Sequence, residues 1–346
     1  MFNLEVIIAG IMLGALLLYA LLAGADYGGG VWDLLAFGKR KKEQRELVED
    51  AIGPVWEANH VWLILVIVVL FTAFPKAFAV IATALHIPVS LLLIGIILRG
   101  TSFVFRKNET NHNETQEHWS LIFSISSIIT PILLGIILGA IASGTIRVEN
   151  GFVQTDFFSS WLAPFPVAVG FFALSLFAFL AAVYLILETK NQALQEDFRQ
   201  RALISGVIVG VLALIVFLLA GNGAPTVRAG ISRTFWALGL HISTAIFAVG
   251  AFYALWTRKY QLARLFAAAQ VTMILLGWAV AQFPFLVEPN ITIYNSAAPT
   301  ITLQLLLAAL LLGAILLFPS YYYLFRVFKG ESAFTALTNQ NNKSDK

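Results

Sequence analysis

Two acidic residues stand where acids are costly. Asp26 lies inside Gly24-Ala25-Asp26-Tyr27-Gly28-Gly29-Gly30, and Glu57 lies inside Trp56-Glu57-Ala58-Asn59-His60-Val61-Trp62, both embedded in long apolar runs. Residues three apart share a helix face, so Glu57 and His60 form one polar cluster with Asn59 and Trp56 beside them. A carboxyl in such surroundings can hold and release protons near neutral pH, and intramembrane proton relays use such groups. Two structural alternatives stand beside this reading. Glu57 follows Pro54 at a helix start, where an acid complements the macrodipole. Asp26, among small residues, is equally suited to a tightly packed, hydrogen-bonded seam. Asp33 falls one heptad later and reads as an interfacial acid. Arg99 ends a later apolar run, either snorkelling to the interface or pairing with an acid or a haem propionate of a partner.

Other chemistries have little to work with. Of the five His residues, His60, His86 and His241 lie in apolar runs. Two facing imidazoles could hold a b-type haem, but isolated bundle histidines are more often hydrogen-bonded core residues. The chain has no Cys, which excludes disulfides, thiolate metal sites and iron–sulfur clusters. There is no phosphate-binding Gly-rich loop with Lys, no GxSxG and no HExxH. The residues by themselves support a proton-handling bundle with no metal and no cofactor of its own.

What must position these residues is a stack of membrane spans. Of 346 residues, 59% are apolar and only 12% charged, against about 25% charged in soluble domains. An ordinary globular enzyme, a nucleic-acid binder and a disordered chain are thereby excluded. Crossing a bilayer takes about 20 apolar residues. Nine runs qualify: Leu4–Phe37, Val55–Phe74, Ala77–Phe105, Trp119–Ser143, Trp161–Glu188, Ala202–Ala220, Arg233–Trp256, Gln261–Phe283 and Thr300–Phe328. The first could be mistaken for a signal peptide, but it has no preceding Lys or Arg and is too long, so it reads as a retained span.

Assigning loops alternately to two sides puts 18 of the 22 Lys and Arg residues on one side. The positive-inside rule makes that side the cytoplasm, with the N-terminus outside and the C-terminus inside. The fold expected is an all-α integral membrane protein of about nine transmembrane helices. Residues 1–334 form a single polytopic domain and 335–346 a disordered cytoplasmic tail. The charged loop Gly38–Pro54 is expected to form a short surface helix. The Arg106–Glu117 and Leu187–Arg201 segments read as polar loops, and Phe74-Pro75-Lys76 as a tight turn between neighbouring antiparallel spans.

The two acid-bearing motifs, Leu98-Arg99-Gly100-Thr101-Ser102-Phe103-Val104-Phe105-Arg106, Phe177–Tyr184 and Gly277–Pro284 together resemble subunit II of the cytochrome bd-type quinol oxidases over nearly the whole chain. The resemblance implies a heterodimer in the prokaryotic cytoplasmic (inner) membrane, or the thylakoid membrane of a cyanobacterium. In it, subunit I carries haem d, two b-type haems and the quinol-oxidising loop. Subunit II ligates no haem, stabilises subunit I and contributes carboxylates to proton uptake for the four-electron reduction of oxygen to water. On this resemblance Glu57 is the proton-path acid and Asp26 the acid of the first span. A bound lipoquinone and a small single-span accessory subunit belong to the same expectation. Some relatives carry a second acid between Phe103 and Arg106, where this chain has Val104 and Phe105. That leaves the route past Glu57 to water or to subunit I. The alternative of a different class is a proton-coupled secondary transporter using Asp26 and Glu57. Against it, the halves show no matching pair of broken spans.

Overall fold

The computed structural model describes residues 3–53, 56–108, 114–150 and 152–341. Its helices are α1 (Leu4–Leu34), α2 (Lys41–Ile52), α3 (Trp56–Ala73), α4 (Pro75–Ala84), α5 (His86–Asn108), α6 (Glu114–Ala142), α7 (Pro164–Leu185), α8 (Gln192–Gly223), α9 (Pro225–Arg233), α10 (Ala237–Trp256), α11 (Tyr260–Gln282) and α12 (Thr300–Asn341). Among the described residues, nine helices are long and apolar enough to cross a membrane: all except α2, α4 and α9. The expected all-α membrane architecture is the observed one. Of the disordered tail expected over 335–346, residues 335–341 instead continue α12, and 342–346 lie outside the described residues.

The nine spans alternate between two ends of the molecule. At one end α2 joins α1 to α3. It is amphipathic as its sequence demands, burying Gln44, Val48 and Ile52 at four-residue spacing. The opposite end is capped by four structured connections: α4, α9 and two small antiparallel hairpins. The hairpins are β1 (Arg147–Glu149) with β2 (Phe152–Gln154), and β3 (Phe285–Val287) with β4 (Ile291–Thr292). Proline opens α4, α7 and α9, where its missing N–H costs nothing.

Three sequence expectations about connections are corrected. The Phe74-Pro75-Lys76 turn leads into α4, a separate ten-residue helix ending at Ala84 with Leu85 as its cap, so α3 and α5 are not joined by a simple hairpin. Instead α3 packs on α1 and α5 on α6, and α3 meets α5 where Trp56 lies over Gly100 and Phe103. The Leu187–Arg201 stretch is only partly loop, because α8 already begins at Gln192, capped by Asn191 Oδ1 accepting from Ala193 N at 2.9 Å. The polar Arg106–Glu117 stretch is shortened from both sides by α5 and α6, and 109–113 lie outside the described residues.

The core lies along α1 and α7. In α7, 67% of the most apolar window is buried, against 6% in α12, so α7 is the axis and α12 the periphery. Two glycines let α1 approach its neighbours. A Cβ on Gly28 would fall on the Phe177 carbonyl of α7, and one on Gly30 would fall on the Ser127 side chain of α6. The glycine run is therefore part of a continuous helix in close contact on two sides.

Candidate functional site

The α1–α3–α5–α6 bundle encloses most of the polar residues singled out above. Asp26 is buried, and its Oδ2 accepts a 2.7 Å hydrogen bond from Asn59 Nδ2. One turn away, His60 packs between aromatic rings: Tyr19 at 5.9 Å, Tyr27 at 5.8 Å and Trp56 at 6.2 Å between centroids. The hydroxyls of Tyr19 and Tyr27 are 3.2 Å apart. Thus the acid of the first span and the Asn–His–Trp cluster of the second are brought together as one polar–aromatic seam.

Glu57 is not inside this seam. It is exposed, on a stripe with Val61, Ile64, Val68 and Phe71 that runs down the outer surface of α3. The first turn of α3 therefore carries one carboxyl facing outward and, two residues on, an amide bonded to the inner carboxyl of Asp26. A charge on an apolar membrane face costs about 2.5–3.5 kcal/mol near mid-bilayer on insertion scales, and less towards the interface.

Arg99 departs from the snorkelling expectation. It is 1% exposed within this chain alone. Its Nε donates to Ser127 Oγ at 3.1 Å, and its guanidinium carbon stands over the rings of Tyr27 at 4.7 Å and Phe123 at 5.2 Å. The close packing of α1, α5 and α6 closes over it.

Asp33 is also corrected. It is fully buried rather than interfacial, accepting from Arg106 Nη1 at 2.9 Å, Ser124 Oγ at 2.9 Å and Ser120 Oγ at 3.3 Å. Arg106 in turn reaches Glu49 of α2 at 3.2 Å. Sequence reasoning missed this group. The signal was there: Ser120, Ser124 and Ser127, at i, i+4 and i+7, put a hydroxyl ladder on one face of an apolar span. A second clamp joins α2 to α8, where Asp197 receives Arg40 at 2.5 Å and 2.9 Å and Gln44 at 2.9 Å.

His86 and His241 stand apart from this seam. A ring nitrogen of His86 lies 3.0 Å from the Thr83 carbonyl, and one of His241 lies 2.7 Å from that of Ile231. Among the described residues, no group of three or more His, Asp or Glu converges to hold a metal.

These features define a class: a polytopic membrane bundle with a buried polar seam. The match to the family model for cytochrome bd terminal oxidase subunit II extends over residues 4–328. The chain belongs to that family, and is a subunit of an oxidoreductase complex. It is 25% identical over 328 residues to the "Putative cytochrome bd menaquinol oxidase subunit II" of Bacillus subtilis (strain 168), covering 92% of this chain and 93% of that one. It is 26% identical over 215 residues to cytochrome bd-I ubiquinol oxidase subunit 2 of Escherichia coli (strain K12), covering 61% and 55% respectively. The fold matches a chain of the bd oxidase from Geobacillus thermodenitrificans with a TM-score of 0.79 and 21% identity, over 94% of this chain and 98% of that one.

Proposed function

We propose that this chain is the haem-free subunit of a quinol-oxidising terminal oxidase and that it feeds protons from the cytoplasm towards oxygen reduction through Glu57 and Asp26. The observation that carries this reading is the two-sided first turn of α3. Glu57 faces out from an apolar wall, as a carboxyl covered by a partner subunit would, and Asn59 reaches Asp26 directly behind it. Haem d and two b-type haems held by subunit I would supply electron transfer and oxygen reduction when bound. This chain's residues then do what a haem-free subunit can: Glu57 takes up a proton at the inner end of α3, Asn59 orients Asp26, and Trp56 and His60 keep bulk water from the seam.

The orientation belongs to the same reading. Arg40, Lys41, Arg106, Arg199 and Arg258 all fall at the α2 end, which is the cytoplasmic end by charge. The membrane is then the prokaryotic cytoplasmic membrane. Partners are the haem-bearing subunit I and, on the open apolar faces, a small single-span accessory subunit. A cavity of about 530 Å³ lined by Leu13, Leu16, Val66, Leu70, Leu138 and Trp278 suits the isoprenoid tail of a lipoquinone, since its walls are almost wholly apolar. The secondary-transporter alternative finds no support. Transporters bind substrate at interrupted helices, whereas α1 runs unbroken through its glycines.

The test is Glu57→Gln in the assembled complex. The amide keeps size and hydrogen bonding but carries no proton. Haem content should be unchanged, oxygen-reduction turnover should fall, and the accompanying charge movement should slow. Glu57→Asp should retain more activity than Gln. A fully assembled Glu57→Gln complex with the normal oxidase rate defeats the proton-path assignment.

A further inference from the structure

The centre of the seam holds buried polar atoms that the chain's own groups leave without partners. Arg99 uses Nε on Ser127, yet its Nη2 has no hydrogen-bond partner among the described residues. Asn59, 2% exposed, gives Nδ2 to Asp26 and leaves Oδ1 unpartnered. His60 likewise buries an unpartnered Nδ1. These three atoms belong to residues gathered on two consecutive positions of α1. Arg99 and His60 pack on Tyr27 at 4.7 Å and 5.8 Å, and Asn59 is bonded to Asp26.

The chemistry of the set selects its ligand. A cation is repelled by the Arg99 guanidinium. An anion would satisfy Arg99 but would face Asn59 Oδ1 and the Asp26 carboxyl. Water both donates and accepts, and buried water takes about two to four polar partners, which an arginine N–H, an amide oxygen and an imidazole nitrogen provide. The groups facing this point are Tyr19, Asp26 and Tyr27 of α1, Asn59 and His60 of α3, Arg99 of α5 and Ser127 of α6. From α7 comes Phe177, stacked on Tyr27, and from α12 Tyr321, bonded to the Ala58 carbonyl. Arg106 and Asp33 are occupied with each other.

We infer that Arg99, His60 and Asn59 hold an internal water cluster against Tyr27, adjoining Asp26, and that Arg99 is a positioning residue for proton transfer through that water. The cluster stands on the orphaned atoms alone; its role in transfer rests on the proton-path reading of Asp26. Water places a mobile hydrogen-bonding network between side chains that do not touch, so a proton leaving Asp26 has a next acceptor inside the bundle.

The experiment is X-ray hydroxyl-radical footprinting of the purified two-subunit complex, in which ordered internal water labels the side chains beside it. Tyr19 and Tyr27 are fully buried, as are Phe74 and Phe179, which lie away from Arg99. The tyrosines should label at least several-fold faster than those phenylalanines, and replacing chloride by sulfate should not alter this. Arg99→Met should remove the labelling and slow proton uptake during turnover, and Arg99→Lys should restore both. Tyr27 labelling as slow as Phe179 in the unmodified complex overturns the cluster, with no variant needed. Labelling that changes with the anion overturns water in favour of a bound anion. Normal uptake in an assembled Arg99→Met complex overturns the positioning role. Asp26→Asn separates the two readings: persistent labelling with normal turnover removes Asp26 from the proton path and leaves the water cluster standing.

Discussion

At the scale of single residues, the charges that matter most for stability are those the chain pairs internally. Arg106 is 7% exposed and bridges Asp33 and Glu49, so removing it strands a fully buried carboxylate. Breaking a buried pair from one side costs about 3–5 kcal/mol, whereas replacing both partners with apolar groups can be neutral. Arg106→Leu should therefore sharply lower the complex's melting temperature, and Asp33→Leu with Arg106→Leu should recover much of the loss. A single variant as stable as the parent would show that the pair contributes little. The sequence displayed Asp26, Glu57, Asn59, His60 and Arg99 as polar residues in apolar runs, and that much was legible. Which of them face inward was not. α3 is apolar on every side, so spacing alone relates Glu57 to His60 without saying which way is out. Arg99 looked like a helix-end anchor because its partners, Ser127 and the rings of Tyr27 and Phe123, are distant in sequence.

At the scale of elements, close approach and loop docking are the features open to test. Gly28 sits against the α7 backbone, while nothing lies within 4 Å of a Cβ placed on Gly14 of the same helix. Overpacking costs about 1–3 kcal/mol or more, and Ala in an open helical position gains about 0.5–1 kcal/mol over Gly. Gly28→Ala should lower assembly yield and melting temperature, and Gly14→Ala should leave both intact or slightly raised. The β3–β4 loop has its own handle. Glu288 is buried, its N–H donates to the Ile141 carbonyl at 3.0 Å, and burial raises the pKa of its carboxyl, partly offset by a hydrogen bond from Thr226. The folded state then binds the proton more tightly than the unfolded chain. Docking of this loop is strongest below the ordinary glutamate value of about 4.3 and weakens as pH rises through the window up to the raised value. The protection factor at Glu288, which is exchange corrected for its intrinsic pH dependence, should fall across that window, and Glu288→Gln should make it independent of pH. The existence of the spans was readable from run length. The break at Leu85 was not, because both sides of it are apolar. Nor was the early start of α8, whose first turns are polar yet capped and clamped to α2.

At the scale of the whole molecule, the nine spans, the capped end and the charged end set how the chain lies in its membrane. Lys39–Arg45 should be reachable by an impermeant label only from the cytoplasmic side, and the β1–β2 hairpin only from the outside; labelling of the first loop in intact cells would reverse the topology. The charged end is also held together across a long stretch of chain. Arg40, just before α2, pairs with Asp197 of α8, 157 residues later. At about 5–20 residues per second, the ribosome delivers Asp197 roughly 8–30 s after Arg40. During that interval four spans are made, yet α2 lacks its attachment to α8. The polypeptide thus carries a built-in delay: its first loop cannot be fully fastened until the sixth span is synthesised, and until then quality-control proteases and chaperones meet a charged helix that is still untethered at one end.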